Sequence, residues 1–175
     1  MKIWMVRHTS VDVPAGTCYG QTDVPLKETF PQEAAECLAK LPDIKFDAVY
    51  TSPLSRCTKL ATACGYPNAR YDSRLKEMYF GNWEMLKYTE IQDPSIQDWY
   101  NDYLRQPATG GESYMDLYNR VASFLDEMKN SGHENVLVFA HGGVLMSALL
   151  YAKIATPQTI FSMQPEYGGM ITIEL

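Results

Sequence analysis

Two short, uninterrupted hydrophobic runs, each ending at a histidine, constrain the fold of this chain more than any other feature. Ile3-Trp4-Met5-Val6 runs into Arg7-His8, and Val136-Leu137-Val138-Phe139-Ala140 runs into His141-Gly142-Gly143. Such runs lack the alternation of a half-exposed strand and are short for a helix, so they predict strands buried on both faces. A third run, Ala48-Val49-Tyr50-Thr51, follows the turn-like Pro42-Asp43 and stops at Ser52-Pro53. A sheet covered on both faces needs helices above and below it, and the intervening sequence supplies them. Phe30, Ala34, Cys37, Leu38 and Leu41 recur at helical spacing. So do Leu117, Val121, Phe124, Leu125 and Met128, behind Ser113 and Asp116 spaced as a capping box. Further helices are expected over 55–64 and 142–151, and the alternating 170–175 reads as a final, less buried strand. Strands alternating with helices predict a three-layer α/β/α architecture around a mainly parallel mixed sheet.

With 175 residues and no repeat, low-complexity tract or linker-like shift in composition, one domain spanning residues 1–175 is expected. Hydrophobic residues at 46% and charged residues at 21% suit a packed core rather than disorder. Lys and Arg number 15 against 21 Asp and Glu, a formal net charge of −6, which disfavours a nucleic-acid polymer as partner. No stretch nears the ~18 apolar residues of a membrane span. The opening apolar run is too short for a secretory signal, so no membrane association and a cytoplasmic location are expected. Cys18, Cys37, Cys57 and Cys64 include no CxxC pair and read as reduced packing residues.

In open α/β sheets, ligands bind beyond the carboxyl ends of the strands. Here those ends carry Arg7 and His8, the stretch from Thr51 to Arg56, and His141, so two of only three histidines meet two arginines at one crevice. Within an acidic chain that is a local positive site, and the helix starts near Ser55 and Gly142 are expected to add backbone N–H groups. The chemistry such a set suits is phosphate binding. Each residue also has a plainer reading. A histidine closing a buried strand can be a hydrogen-bonded core residue, and Arg56 can pair with a carboxylate on its own helix. It is the joint placement of all four that favours a site. Glu77 has the apolar neighbours Met78, Tyr79 and Phe80, a setting that raises a carboxyl pKa towards the general-acid range. A solvated loop glutamate beside Lys76 fits the same residues.

Arg7-His8, Arg56 in Ser-Pro-Leu-Ser-Arg, Glu77 in Leu-Lys-Glu-Met-Tyr-Phe-Gly-Asn-Trp-Glu, and His141-Gly142 resemble, in order and spacing, the motifs of the histidine phosphatase superfamily, the phosphoglycerate-mutase-like proteins. The resemblance covers nearly the whole chain. Within the superfamily, segments 18–26 and 77–85 and Gly110-Gly111-Glu112-Ser113 are most similar to the alpha-ribazole phosphatase branch. The resemblance implies a phosphomonoesterase with no metal and no cofactor, acting on a small phosphorylated substrate. His8 would be the nucleophile that forms a phosphohistidine. Arg7, Arg56 and His141 would surround the transferring phosphoryl group, and Glu77 would give and then take the proton. Substrate contacts are implied for Thr9, Gln21 and Gly142. For the branch, alpha-ribazole 5′-phosphate is the implied substrate, in cobalamin nucleotide-loop assembly. One departure stands out: Thr9 replaces the glycine of the family's Arg-His-Gly motif, and no asparagine near Pro14 matches the one that family members place by the phosphate.

Mutases of the superfamily are longer, with an inserted segment, so 175 residues fit the compact phosphatases better. Tyr79, Phe80, Trp83, Tyr88, Trp99, Tyr100 and Tyr103 crowd one stretch and predict an apolar wall for a flat base, with Tyr79 and Trp83 as the candidate contacts. Trp99, Tyr103 and Leu104 read instead as the buried face of a helix begun by Ser95 and capped through Asp98. The alternatives are a broad-specificity sugar-phosphate or nucleotide phosphatase, a mutase, or a catalytically silent phosphate-binding module, the last motivated by Thr9. Glu112 can face a ligand or not, and His133, in a polar turn, has no role.

Overall fold

The computed structural model, which describes residues 1–175, sets the three hydrophobic runs side by side. They form β1 (Lys2–Arg7), β2 (Ala48–Thr51) and β4 (Asn135–Ala140), flanked by the short β3 (Arg70–Tyr71) and by β5 (Met170–Glu174). The sheet order is β3-β2-β4-β1-β5. All neighbours run parallel except β1 and β5, which are antiparallel. The sheet is therefore mixed and mainly parallel, as the hydrophobic runs imply. β3 left no sequence signal because its two residues are exposed at the sheet edge.

Successive side chains of a strand point to opposite faces, and the two cores follow that alternation. Ile3, Met5, Val136, Val138 and Ala140 are buried against α4 (Tyr114–Lys129) and α5 (Gly142–Tyr151). Trp4, Val6, Leu137 and Phe139 are buried against α1 (Phe30–Lys40) and α2 (Ser55–Ala63). Each such side chain contributes on the order of 1.5–3 kcal/mol. The four cysteines are free and buried, Cys37, Cys57 and Cys64 in the second of these cores. No helix is long and apolar enough to cross a membrane.

Local signals set the helix ends. Ser113 accepts a hydrogen bond from the Asp116 N–H at 3.2 Å and returns its own N–H to the Asp116 carboxylate at 2.9 Å, the reciprocal box that starts α4. α3 (Ser95–Asn101) corrects the reading of its region. It is only two turns long, so Tyr103 and Leu104 lie beyond it. Its first turn is held by Asp93, not Asp98: the Asp93 carboxylate accepts from the Ser95 N–H at 3.0 Å and hydroxyl at 2.8 Å.

Candidate active site

Parallel register brings the strand ends to one level. Arg7 closes β1 opposite Ala140 of β4. The His8 N–H donates to the Ala140 carbonyl at 3.0 Å, and the Ser52 N–H to the Phe139 carbonyl at 2.9 Å. His8 and His141 thus leave the sheet side by side, with ring centroids 5.2 Å apart. His141 places Nε2 2.8 Å from the Ser52 hydroxyl, and its ring rests by the buried Cys57 thiol. Arg56 enters from the first turn of α2 and is fully buried. Its terminal nitrogens donate to the Thr22 carbonyl at 3.0 Å and to the Gly20 carbonyl, so the loop before Asp23 hangs on this guanidinium.

Neither Arg7 nor Arg56 pairs with a carboxylate, and the Nε of each is buried without a partner. Arg56 is wholly buried and Arg7 half-buried, with its Nη1 on the Pro165 carbonyl at 2.6 Å. A shielded cation with an idle donor is costly, and an anion is the partner suited to it. Two tyrosines back these charges. Tyr167 lies 4.1 Å from Arg7 and Tyr19 lies 5.5 Å from Arg56, with their hydroxyls 2.7 Å apart across the site.

His8 is held by a single short contact: Nδ1 donates to the carbonyl of Thr9 at 2.8 Å. That bond fixes the tautomer and leaves the Nε2 lone pair free. Burial, then the charge of Arg56, depresses the His8 pKa from 6.5 to about 3, and the same causes push His141 well down. Both rings are neutral in the folded protein at pH values where an unfolded chain takes up protons. Their stabilising effect is present above 6.5 and is lost as pH falls towards about 3. The denaturant midpoint of the phosphate-free protein is therefore expected to drop between about pH 7.5 and pH 5, with a shallower slope in His8→Ala. A midpoint that holds or rises over that interval would contradict this.

Glu77 reaches the same crevice from the irregular chain after β3. Its carboxylate accepts from the Met78 N–H at 2.9 Å and from the Gly143 N–H, in the first turn of α5, at 3.1 Å. A methyl group on Gly143 would lie 2.3 Å from Glu77 Oε1, so the glycine permits this approach. Likewise a methyl on Gly20 would lie 1.7 Å from the Met78 carbonyl oxygen. Glu84 then clasps the two segments, accepting from the N–H groups of Gln21 and Thr22 at 2.8 Å each. At each helix start one N–H already meets a carboxylate of this chain. A helix N-terminus attracts the nearest anion, and this chain supplies its own. Asp23 accepts from the Ser55 N–H at 2.9 Å, and Glu77 takes that of Gly143.

The remaining candidate contacts divide. Thr9 is fully buried, with its carbonyl on His8 and its hydroxyl unpartnered. Gly142 packs so closely that a methyl there would lie 2.3 Å from the Gln164 amide and 3.3 Å from the Arg7 guanidinium. Gln21 turns its amide to the Glu77 carbonyl at 3.1 Å and is not among the residues of the cavity. That cavity, about 370 Å³, extends from Arg7, His8 and Glu77 along Phe80, Tyr88, Trp99, Tyr103, Tyr114 and Phe161. An aromatic wall is present and takes Phe80, Tyr88, Trp99 and Tyr103 from the expected stretch, but not the two candidate contacts. Tyr79 is 41% exposed and outside the wall; Trp83 is 1% exposed and donates Nε1 to Asp93 at 3.0 Å. Trp83 packs with Cys18, Ile91 and Ala108 in a small separate core. Trp99 and Tyr103 line the cavity instead, and α3 packs through Ile96 and Trp99 on that small core. The Trp99 ring stacks on Tyr88 at 6.2 Å, and its Nε1 is shielded without a partner.

The profile of the histidine phosphatase superfamily (branch 1) matches residues 3–175. The chain belongs to that superfamily. A curated relative, the adenosylcobalamin/alpha-ribazole phosphatase of Salmonella typhimurium, is 30% identical over 185 residues, covering 100% of this chain and 91% of its own. A putative phosphoserine phosphatase 2 of Hydrogenobacter thermophilus is 26% identical over 184 residues, covering 99% of this chain and 89% of its own. Among solved structures, the alpha-ribazole phosphatase of Shigella flexneri superposes with a TM-score of 0.89 at 23% identity, covering 100% of this chain and 91% of that one. At that identity the likeness speaks for the fold, which is that of phosphoglycerate-mutase-like histidine phosphatases. The enzyme class is phosphoric monoester hydrolase.

In this histidine phosphatase, Arg7, His8 and Glu77 line one cavity, His141 packs beside His8, and Arg56 is buried behind Tyr19 of the same lining. Several neighbours had no local signal. Tyr19 and Tyr167 meet across 148 positions of sequence, and Ser52 touches His141 across 89. Only the fold brings such pairs together.

Proposed function

We propose that this histidine phosphatase hydrolyses phosphomonoesters through a phosphohistidine on His8, with alpha-ribazole 5′-phosphate as its substrate. The observation that carries the mechanism is the Nδ1 bond to Thr9, which leaves Nε2 as a neutral nucleophile beside two unpaired arginines. Nε2 attacks phosphorus, the bond from phosphorus to the alcohol oxygen breaks, and Glu77 delivers a proton to that oxygen. Water then attacks the phosphohistidine, Glu77 takes the water's proton, and the phosphorus–nitrogen bond breaks to release phosphate. Arg7 and Arg56 stay charged throughout and match the charge spread over the three equatorial oxygens. Glu77 and the histidine nucleophile line one cavity, so the leaving alcohol can reach both.

The aromatic wall supports the substrate reading. Trp99, Tyr88 and Tyr103 offer a flat apolar surface beside the phosphate pocket, suited to the benzimidazole of alpha-ribazole. The shared name of the Salmonella relative points the same way. A kcat/KM panel of alpha-ribazole 5′-phosphate, phosphoserine, a sugar phosphate and a nucleoside monophosphate tests it. Alpha-ribazole phosphate is expected to lead, and Trp99→Ala to cut its lead by about tenfold, the worth of one stacked ring. Equal values across the panel would overturn the substrate and leave the broad-specificity phosphatase.

A further inference from the structure

Residues 74–77 carry Glu77 into the site without a sheet or helix ladder: a single 3-10 turn, Ser73–Leu75, gives way to extended chain. Carbonyl groups on such a segment need partners from elsewhere. One side chain supplies most of them. Arg120, on α4, donates to the carbonyls of Arg74 at 2.7 Å, Lys76 at 2.6 Å and Glu77 at 2.8 Å. The same guanidinium forks onto Glu112, through Nε at 2.8 Å and Nη2 at 2.9 Å. Glu112 in turn grips Tyr79, its carboxylate accepting the Tyr79 N–H at 2.8 Å and its own N–H donating to the Tyr79 carbonyl at 2.7 Å. Both side chains are largely shielded, at 18% and 23% exposure, so the pair is better insulated from solvent than a surface ion pair.

We infer that Arg120 and Glu112 are positioning residues for Glu77, fixing the backbone on both sides of the carboxyl group that moves the proton. The inference rests on the proposed role of Glu77. Neither residue touches the reacting atoms. Their effect is to hold the Glu77 carboxyl within reach of the leaving oxygen, where a shift of about 1 Å costs about 100-fold in rate. Only arginine has the five-donor planar fork that serves three carbonyls and a carboxylate at once. Glu112 is one of the residues whose sequence context left its role open, and Arg120 carries no sequence signal at all.

The test uses leaving-group dependence, which a loss of fold or of phosphate binding would not produce. An alkyl phosphate needs its departing oxygen protonated, whereas 4-nitrophenolate leaves unaided. In Arg120→Gln, kcat/KM for an alkyl phosphate is expected to fall by about 100-fold, and for 4-nitrophenyl phosphate at least about tenfold less. Glu112→Gln, which keeps the shape and its acceptor, should shift the ratio in the same direction. It also serves as the readout if Arg120→Gln does not fold, as judged by its thermal transition. Glu77→Gln is the reference. If it lowers the alkyl-to-aryl ratio while the Arg120 and Glu112 variants lose both activities equally, or neither, the positioning inference is overturned. If Glu77→Gln itself leaves the ratio unmoved, the proposed role of Glu77 fails instead.

Discussion

His8→Ala is expected to abolish both hydrolysis and covalent labelling, a loss on the order of a million-fold as for other covalent nucleophiles. Wild-type enzyme mixed with 32P-labelled substrate and quenched in alkali, where a phosphorus–nitrogen bond survives, should carry label that acid removes. The variant should carry none. The size of the effect follows from the geometry. His141 sits 5.2 Å away between ring centroids but has Nε2 on the Ser52 hydroxyl, so it is not free to replace the lost nitrogen. Direct attack by water would meet the same arginines with no nucleophile in line. The fold itself should tolerate the change. His8 contributes one side-chain bond, to Thr9, and the strand ladder of β1 with β4 does not involve the ring. A folded His8→Ala enzyme retaining more than about 1% of wild-type kcat would sink the phosphohistidine mechanism, because residual catalysis from binding groups alone lies far below that.

What could be read in the sequence divides along physical lines. Arg7, His8 and His141 were legible because a buried parallel strand delivers whatever follows it to one edge of the sheet, and the hydrophobic runs 3–6 and 136–140 suffice to show the strands. The α4 start was legible because Ser113 and Asp116 interact over three positions. Trp83, expected at the cavity, lies in a small core, whereas Trp99, expected on the buried face of its helix, packs against that core and lines the cavity as well. Helical spacing says which side chains share a face; it does not say which surface of the molecule that face meets. Asp93 decides the matter by taking the Trp83 indole N–H while holding the first turn of α3, a contact across ten positions of irregular chain. The carboxylates at the helix starts were not legible for a related reason: Asp23 and Glu77 reach Ser55 and Gly143 through loops whose paths no local pattern encodes.

Arg56→Met is expected to separate catalysis from stability. Loss of one charge-stabilising arginine at a phosphoryl-transfer site costs about 10³-fold or more, and methionine leaves little of the volume empty. Two stability effects oppose each other. Removing a fully buried cation that has no carboxylate partner relieves a desolvation cost of several kcal/mol. Against this, the Thr22 and Gly20 carbonyls lose their donor, at about 1–3 kcal/mol each. The two are of similar size, so the phosphate-free variant should melt close to the wild type while kcat/KM collapses. Inorganic phosphate decides between a charge for the ligand and a post for the loop. It should raise the melting temperature of the wild type by binding only the folded form, and the gain should largely vanish in Arg56→Met. If phosphate stabilises both proteins alike, Arg56 serves the loop before Asp23 and the anion is held by Arg7 without it. An Arg56→Lys enzyme is the sharper comparison, since it keeps the charge but lacks the fork. It should stay nearer to Arg56→Met than to wild type, because a single ammonium cannot serve the Thr22 and Gly20 carbonyls and still meet a phosphoryl oxygen.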